Sequence, residues 1–206
     1  MFRDSEPVLD RYFAQVEALR AHVPVRLALA EGDSADGTLE GLKVRVGPDD
    51  LLVKADHGGP RFRSVDSPRR WAQIATVMRT LIAAVDDPGD VFVWVESDLL
   101  WEPDVMLRLA SDALTIGGVF CPKMFYRRND NFYDTWGYRK DGLPFDPIYP
   151  YHPEMGDGPT TQIDSCGSCF AVAGANFDAY VRPWNGWWPF APPRLLIDLT
   201  VHVRHP

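Results

Sequence analysis

The chain has 206 residues, 46% hydrophobic and 24% charged, with a formal net charge of −8. That length supports one well-cored domain, and the composition excludes wholesale disorder. The acidic balance excludes a general electrostatic grip on nucleic acid or an anionic membrane surface, and only a local basic cleft stays open. No apolar run reaches the length of a membrane span. The first residues form a charged amphipathic segment without a secretory pattern, so the sequence predicts a cytoplasmic protein without a transmembrane segment.

In chain order, Val8, Leu9, Tyr12, Phe13, Val16 and Leu19 recur at helical spacing and predict an amphipathic helix over Pro7–His22, stopped by Pro24. A strand is expected at Val25–Ala30. The polar loop Glu31-Gly32-Asp33-Ser34-Ala35-Asp36-Gly37-Thr38 follows, at the end of a strand where α/β sheets bind ligands. Lys43–Val46 and Leu51–Lys54 read as one or two short strands around a Gly-Pro turn. From Ser67-Pro68 to Val85 the apolar spacing predicts a second helix with Arg69 and Arg70 in its first turn. Cations are poorly matched to a helix N-terminus. They therefore either face an anion such as a phosphate or are solvated.

Val91-Phe92-Val93-Trp94-Val95 predicts a strand buried on both faces, and it runs into Glu96-Ser97-Asp98. If the extended conformation persists through Ser97, both carboxylates point to one side and repel each other unless a cation sits between them. Oxygen ligands suit Mg²⁺ or Mn²⁺. The competing reading is a carboxylate capping the helix that Glu102-Pro103-Asp104 opens. That helix runs through Val105, Met106, Leu109, Ala110 and Leu114, and a short strand is expected at Gly117–Pro122.

From Lys123 to Pro159 regularity disappears into an aromatic, Asp-, Pro- and Gly-rich stretch, expected to be an ordered functional loop. Strand character returns at Ile163–Gly174, where small residues let a partner approach the backbone. The Cys166-Gly167-Ser168-Cys169 spacing suits redox chemistry or half a metal site. With Cys121 the only other cysteine and strand character following, buried and chemically idle thiols are the preferred reading. Pro183–Phe190 is aromatic enough to cover a core or line a cleft. Leu195–Pro206 predicts a final strand carrying His202 and His205. The alternation of helices and strands predicts a layered α/β fold.

Three of these features, set together, carry a resemblance. The Glu31–Thr38 loop is similar to the D-x-x-S-x-D-G-T loop of GT-A nucleotide-sugar glycosyltransferases. Glu96-Ser97-Asp98 resembles their D-x-D motif in an E-x-D variant, about 60 residues later, and a histidine on a late strand resembles their third metal ligand. Tyr133-Asp134-Thr135-Trp136 is similar to a Tyr-Asp-x-x-Trp pattern in mannosyltransferase-like members. The resemblance implies a single domain, 1–206, with a three-layer α/β/α GT-A (Rossmann-like) mixed sheet. Residues 1–122 form the nucleotide-sugar and metal-binding half, and 123–206 the acceptor-side half. It implies a hexosyltransferase that takes a nucleoside-diphosphate sugar and a hydroxyl acceptor and uses Mn²⁺ or Mg²⁺.

By the same resemblance, Glu31, Asp33, Asp36, Arg69, Arg70 and Glu96 meet the donor. Asp98, Glu96 and His205 hold the metal, with His205 preferred to His202, and Asp164 or Asp198 serves as general base. Family members begin with a strand ahead of the first helix; with the helix expected almost at Met1, that strand is expected to be missing here, through truncation or an unusual start. A nucleotidyltransferase, or a non-catalytic carbohydrate- or protein-binding module on a degenerate transferase scaffold, is the alternative.

Overall fold

The computed structural model describes residues 1–62, 67–156, 158–184 and 190–206; residues 185–189 of the aromatic Pro183–Phe190 segment therefore lie outside the described residues. The chain divides into two compact units, residues 1–87 with Trp184 and residues 88–183 with 190–206.

In the first unit a 3₁₀ turn at Glu6–Val8 leads into α1 (Leu9–Arg20), followed by β1 (Ala28–Glu31), α2 (Thr38–Lys43), β2 (Leu51–Lys54) and α3 (Pro68–Ala84). The amphipathic spacing works as expected: Leu9, Tyr12, Phe13 and Val16 are the buried face of α1. β1 and β2 pair in parallel from Ala28↔Leu51 to Glu31↔Lys54, and α3 packs on both. Phe2 forms a parallel bridge with Glu31, its N–H donating to Ala30 O at 2.8 Å, so the residues ahead of α1 lie beside the carboxyl end of β1. The strand expected at Lys43–Val46 is instead the end of α2 and the turn behind it. Arg45 and Val46 donate back to Leu42 O, Leu42 is fully buried and Val44 is exposed, so local helical bonding overrides the alternation of Val44 and Val46.

The second unit contains β3 (Val91–Val95), α4 (Pro103–Thr115), β4 (Val119–Tyr126), β5 (Arg139–Lys140), β6 (Leu143–Pro144), β7 (Thr160–Ile163), β8 (Cys169–Ala173), α5 (Phe177–Tyr180) and β9 (Leu195–His205). A five-stranded mixed sheet runs β3-β8-β4-β9-β7, with β4 and β9 parallel and the other pairs antiparallel. The chain is thus mixed α/β. Val105, Met106, Leu109 and Ala113 are apolar residues that α4 buries, and the helix packs over β3, β4, β8 and β9.

β3 is not buried on both faces. Phe92 and Trp94 are buried while Val91, Val93 and Val95, which alternate to the opposite face, are half-buried. The stretch expected to be irregular is partly regular: β4 runs on to Tyr126, and β5 and β6 form a hairpin. Phe132, Tyr138 and Phe145 are buried and pack together, with ring centroids 5.0–5.6 Å apart. Among the described residues no helix is long and apolar enough to cross a membrane.

Candidate functional site

The first unit places the loops after β1 and β2 together at the strands' carboxyl ends. Ala55 N–H donates to Glu31 O at 2.7 Å, and Asp33 Oδ2 accepts from the N–H groups of His57 and Gly58 at 2.7 and 3.0 Å. Asp33 holds this post in a left-handed conformation, φ 56°, which a short carboxylate side chain tolerates better than most. Glu31, Asp33, Ser34, Leu39, Lys54 and Asp56 line a pocket of about 310 Å³. Glu31 is buried, and its Oε1 accepts from Ser34 N–H at 2.8 Å.

The other polar residues of the loop face the start of the chain. Asp36 accepts from Thr38 and, through Oδ2, from Glu6 N–H, while Ser34 Oγ accepts from Asp4 N–H and Thr38 Oγ1 from Ser5 N–H. Asp36 therefore braces the loop and is not part of the pocket lining. In the first turn of α3, Arg69 is exposed, whereas Arg70 is half-buried with its guanidinium 4.5 Å over the Trp71 ring.

The second unit brings Asp98 and His205 together. After β3, Glu96 N–H continues the pairing with β8 by donating to Ser168 O at 3.0 Å. The chain does not stay extended through Ser97: it turns, and Leu99 N–H bonds Glu96 O at 3.3 Å. It then adds a short antiparallel rung to β9, with Leu100 and Arg204 exchanging hydrogen bonds of 2.7 and 2.9 Å. That rung carries Asp98 Oδ2 to 3.1 Å from His205 Nε2. The cap reading of these carboxylates does not describe the structure, since α4 opens behind Glu102 with no side-chain cap and Asp98 faces the imidazole.

The electrostatics of this centre follow from its crowding. Burial pushes the Glu96 carboxyl up, and the charges of Asp98 and Asp134 add to it, to about 7. Burial also acts to raise Asp98, but the His205 hydrogen bond and charge outweigh it and hold Asp98 below the usual carboxylate range. For His205 burial alone would lower the pKa. The Asp98 hydrogen bond and charge raise it instead.

Two tyrosines and a buried aspartate complete the surroundings. Tyr133 stacks face to face on His205, centroids 3.8 Å apart at 13°, and Tyr126 stands edge-on to both rings. Asp134 is buried and accepts from Gly137 N–H, Ser168 N–H and Ser168 Oγ. Tyr126 and Ser168 were not legible as parts of this centre. Ser168 was visible only as a small residue, which marks close approach without saying of what.

The remaining expected residues lie elsewhere. Asp198 is fully buried, opposite Pro122 in β4, where its Oδ1 accepts from Thr200 N–H and Oγ at the register shift between β4 and β9. Arg108 of α4 lies 3.3 Å from its Oδ2. His205 stands opposite Tyr126, four residues along β4 from Pro122, or about 13 Å. Asp198 is therefore too far from Asp98 and too enclosed to act as a base there. Asp164 is exposed and accepts from Gly142 N–H at 2.7 Å, closing the β5–β6 hairpin. His202 lies opposite Lys123 and packs on Phe125, and burial, Arg204 and Lys123 lower its pKa. All three cysteines are buried and free, and burial pushes the thiols of Cys166 and Cys169 up, as inert core thiols require.

No protein-family model matches the chain, and no curated protein matches it. Among solved structures it is similar to one described as "Crystal Structure of a Mycobacterial Protein", at 14% identity and a TM-score of 0.47. The alignment covers all of this chain and 65% of that one, so the chain spans just under two thirds of that protein's length.

Proposed function

We propose that the chain is a metal-dependent glycosyltransferase of the GT-A type, moving a sugar from a nucleoside-diphosphate donor to a hydroxyl acceptor. The observation that supports this most is the meeting of Asp98 Oδ2 and His205 Nε2 at 3.1 Å beyond the end of a strand, with Glu96 beside them. No group of three or more His, Cys, Asp or Glu residues arranged to share an ion occurs among the described residues. A carboxylate and an imidazole suit a hard ion that takes its other ligands from water and substrate phosphate, the usual habit of Mg²⁺ and Mn²⁺. When bound, such an ion would supply positive charge to the departing diphosphate.

The residues of the chain would do the rest. Asp98 and His205 would hold the ion, and Glu96, whose N–H continues the β3–β8 pairing, would meet the ribose, or the ion through water. Asp164, exposed where Asp198 is fully buried, is the more accessible of the two proposed bases. Calorimetry with Mn²⁺ and a panel of UDP- and GDP-sugars tests the proposal. Metal-dependent binding that disappears in Asp98→Ala is expected; failure of every nucleotide to bind would sink it. Sugar binding without metal or nucleotide would point to a non-catalytic module, and pyrophosphate release from a nucleoside triphosphate to a nucleotidyltransferase.

A further inference from the structure

An imidazole near the end of a strand has two side-chain torsions to fix before its nitrogen can serve a metal, and each free torsion weakens the site. At His205 the surroundings fix both. Nε2 meets Asp98 at 3.1 Å, and Nδ1 lies 3.2 Å from Pro206 O. The ring plane is set by Tyr133, parallel to it at 3.8 Å, and the Tyr126 edge braces that stack.

The backbone under Tyr133 is held as firmly as the ring above it. Tyr133 N–H donates to Met124 O at 2.8 Å, while Tyr126 N–H donates to Asn131 O, so the segment is zipped to the end of β4. The next residue, Asp134, is the peg. It accepts three hydrogen bonds from Gly137 and Ser168, and a Cβ at Gly137 would stand 2.8 Å from its carboxylate oxygens.

We propose that Tyr133 is a positioning residue for the metal centre: its ring face holds the His205 imidazole in the plane that aims Nε2 at the point shared with Asp98. The proposal rests on the reading of Asp98 and His205 as metal ligands. It assigns the Tyr133 ring, not its hydroxyl, as the active feature, so Tyr133→Phe preserves the function and Tyr133→Leu loses it.

The test uses the full chain with ¹⁵N-labelled histidine, Mn²⁺ alone as the probe, and two readouts. NMR of the metal-free protein reports the His205 ring protons, which the facing tyrosine shifts upfield, and electron paramagnetic resonance of free Mn²⁺ reports affinity. Wild type and Tyr133→Phe are expected to share the upfield signals and the affinity. In Tyr133→Leu the signals move to unstacked positions and Mn²⁺ binding weakens about 10-fold or more, as for loss of other groups that orient a ligand. Tyr133→Met, which refills the volume with a flexible chain, takes the place of Tyr133→Leu should that variant not fold. Unchanged Mn²⁺ affinity in a folded non-aromatic variant overturns the proposal alone. Absence of Mn²⁺ binding by the wild-type chain overturns the metal reading and the proposal with it.

Discussion

His205 Nε2 lies 3.1 Å from Asp98 Oδ2 although 107 residues separate the two in the chain. The contact pairs a carboxylate whose pKa is lowered with an imidazole whose pKa is raised, each by the hydrogen bond and charge of the other. Its worth in stability is bounded on both sides of the pH scale. A lowered carboxylate loses its contribution as pH falls through its folded value, and a raised histidine loses its own as pH rises through its folded value. The Asp98 side chain is 45% exposed, so solvent screening limits the metal-free pair to about 1 kcal/mol or less. His205→Gln should therefore flatten the stability profile between the ordinary carboxylate and imidazole ranges, as followed by urea denaturation.

The same pairing makes proton and metal competitors for Nε2. Binding an ion there requires the imidazole to be neutral, so Mn²⁺ affinity should rise with pH through the raised His205 pKa. Titrations of Mn²⁺ at about pH 6 and about pH 8 are expected to show tighter binding at the higher value. Equal affinity at both would place the ion away from His205.

Glu96 runs the other way. Its carboxyl is pushed from 4.5 to about 7, first by burial and then by Asp98 and Asp134, so the metal-free fold is penalised as pH rises through that interval. Glu96→Gln removes the penalty. The variant should melt higher than wild type above neutrality and no higher near pH 4.5, read by differential scanning calorimetry across that range. A divalent ion that restores wild-type stability at high pH, but does nothing for Asp98→Ala, would tie the effect to the metal.

Asp198 and Asp98 should separate cleanly on mutation. Asp198 anchors Thr200 and faces Arg108 and Asp112, and Asp112 is itself pushed up by burial and by its hydrogen bond with Asp198. Asp198→Ala leaves the Thr200 donors and part of Arg108 unanswered and should cost about 1–3 kcal/mol. Asp198→Asn should cost less and leave Mn²⁺ affinity unchanged. A folded Asp198→Asn protein that binds metal and donor but transfers no sugar would return Asp198 to the chemistry.

Gly32 is required by close approach between two loops. A Cβ there would stand 2.6 Å from Ala55 O and 3.3 Å from Val77 Cγ2, and Ala55 is held by its bond to Glu31 O. Gly32→Ala should cost about 1–3 kcal/mol, checked by denaturant titration. A neutral result would show that the loops after β1 and β2 part easily.

The three long helices were legible in the sequence because burying one face of a helix leaves a period near 3.6: α1, α3 and α4 fall within a few residues of their expected bounds, whereas the short α2 and α5 span too few turns to show that period and were not expected. Strands were legible in existence more than in extent. Val44 and Val46 alternate like a strand and are not one, and β4 runs past Pro122 because β9 is there to pair with it. The sequence by itself determined which residues carry the candidate chemistry: Glu31 and Asp33 on one loop, Glu96 and Asp98 after an apolar strand, histidines on the last one. Only the tertiary structure decided which of them meet. The Leu100–Arg204 rung selects His205 over His202 as the neighbour of Asp98, the register shift in β9 encloses Asp198, and Tyr133 is laid on His205 by its bond to Met124. Each of these depends on hydrogen bonds between backbone segments far apart in the chain, and backbone groups are identical at every residue, so the sequence carries no local mark of where such pairings fall.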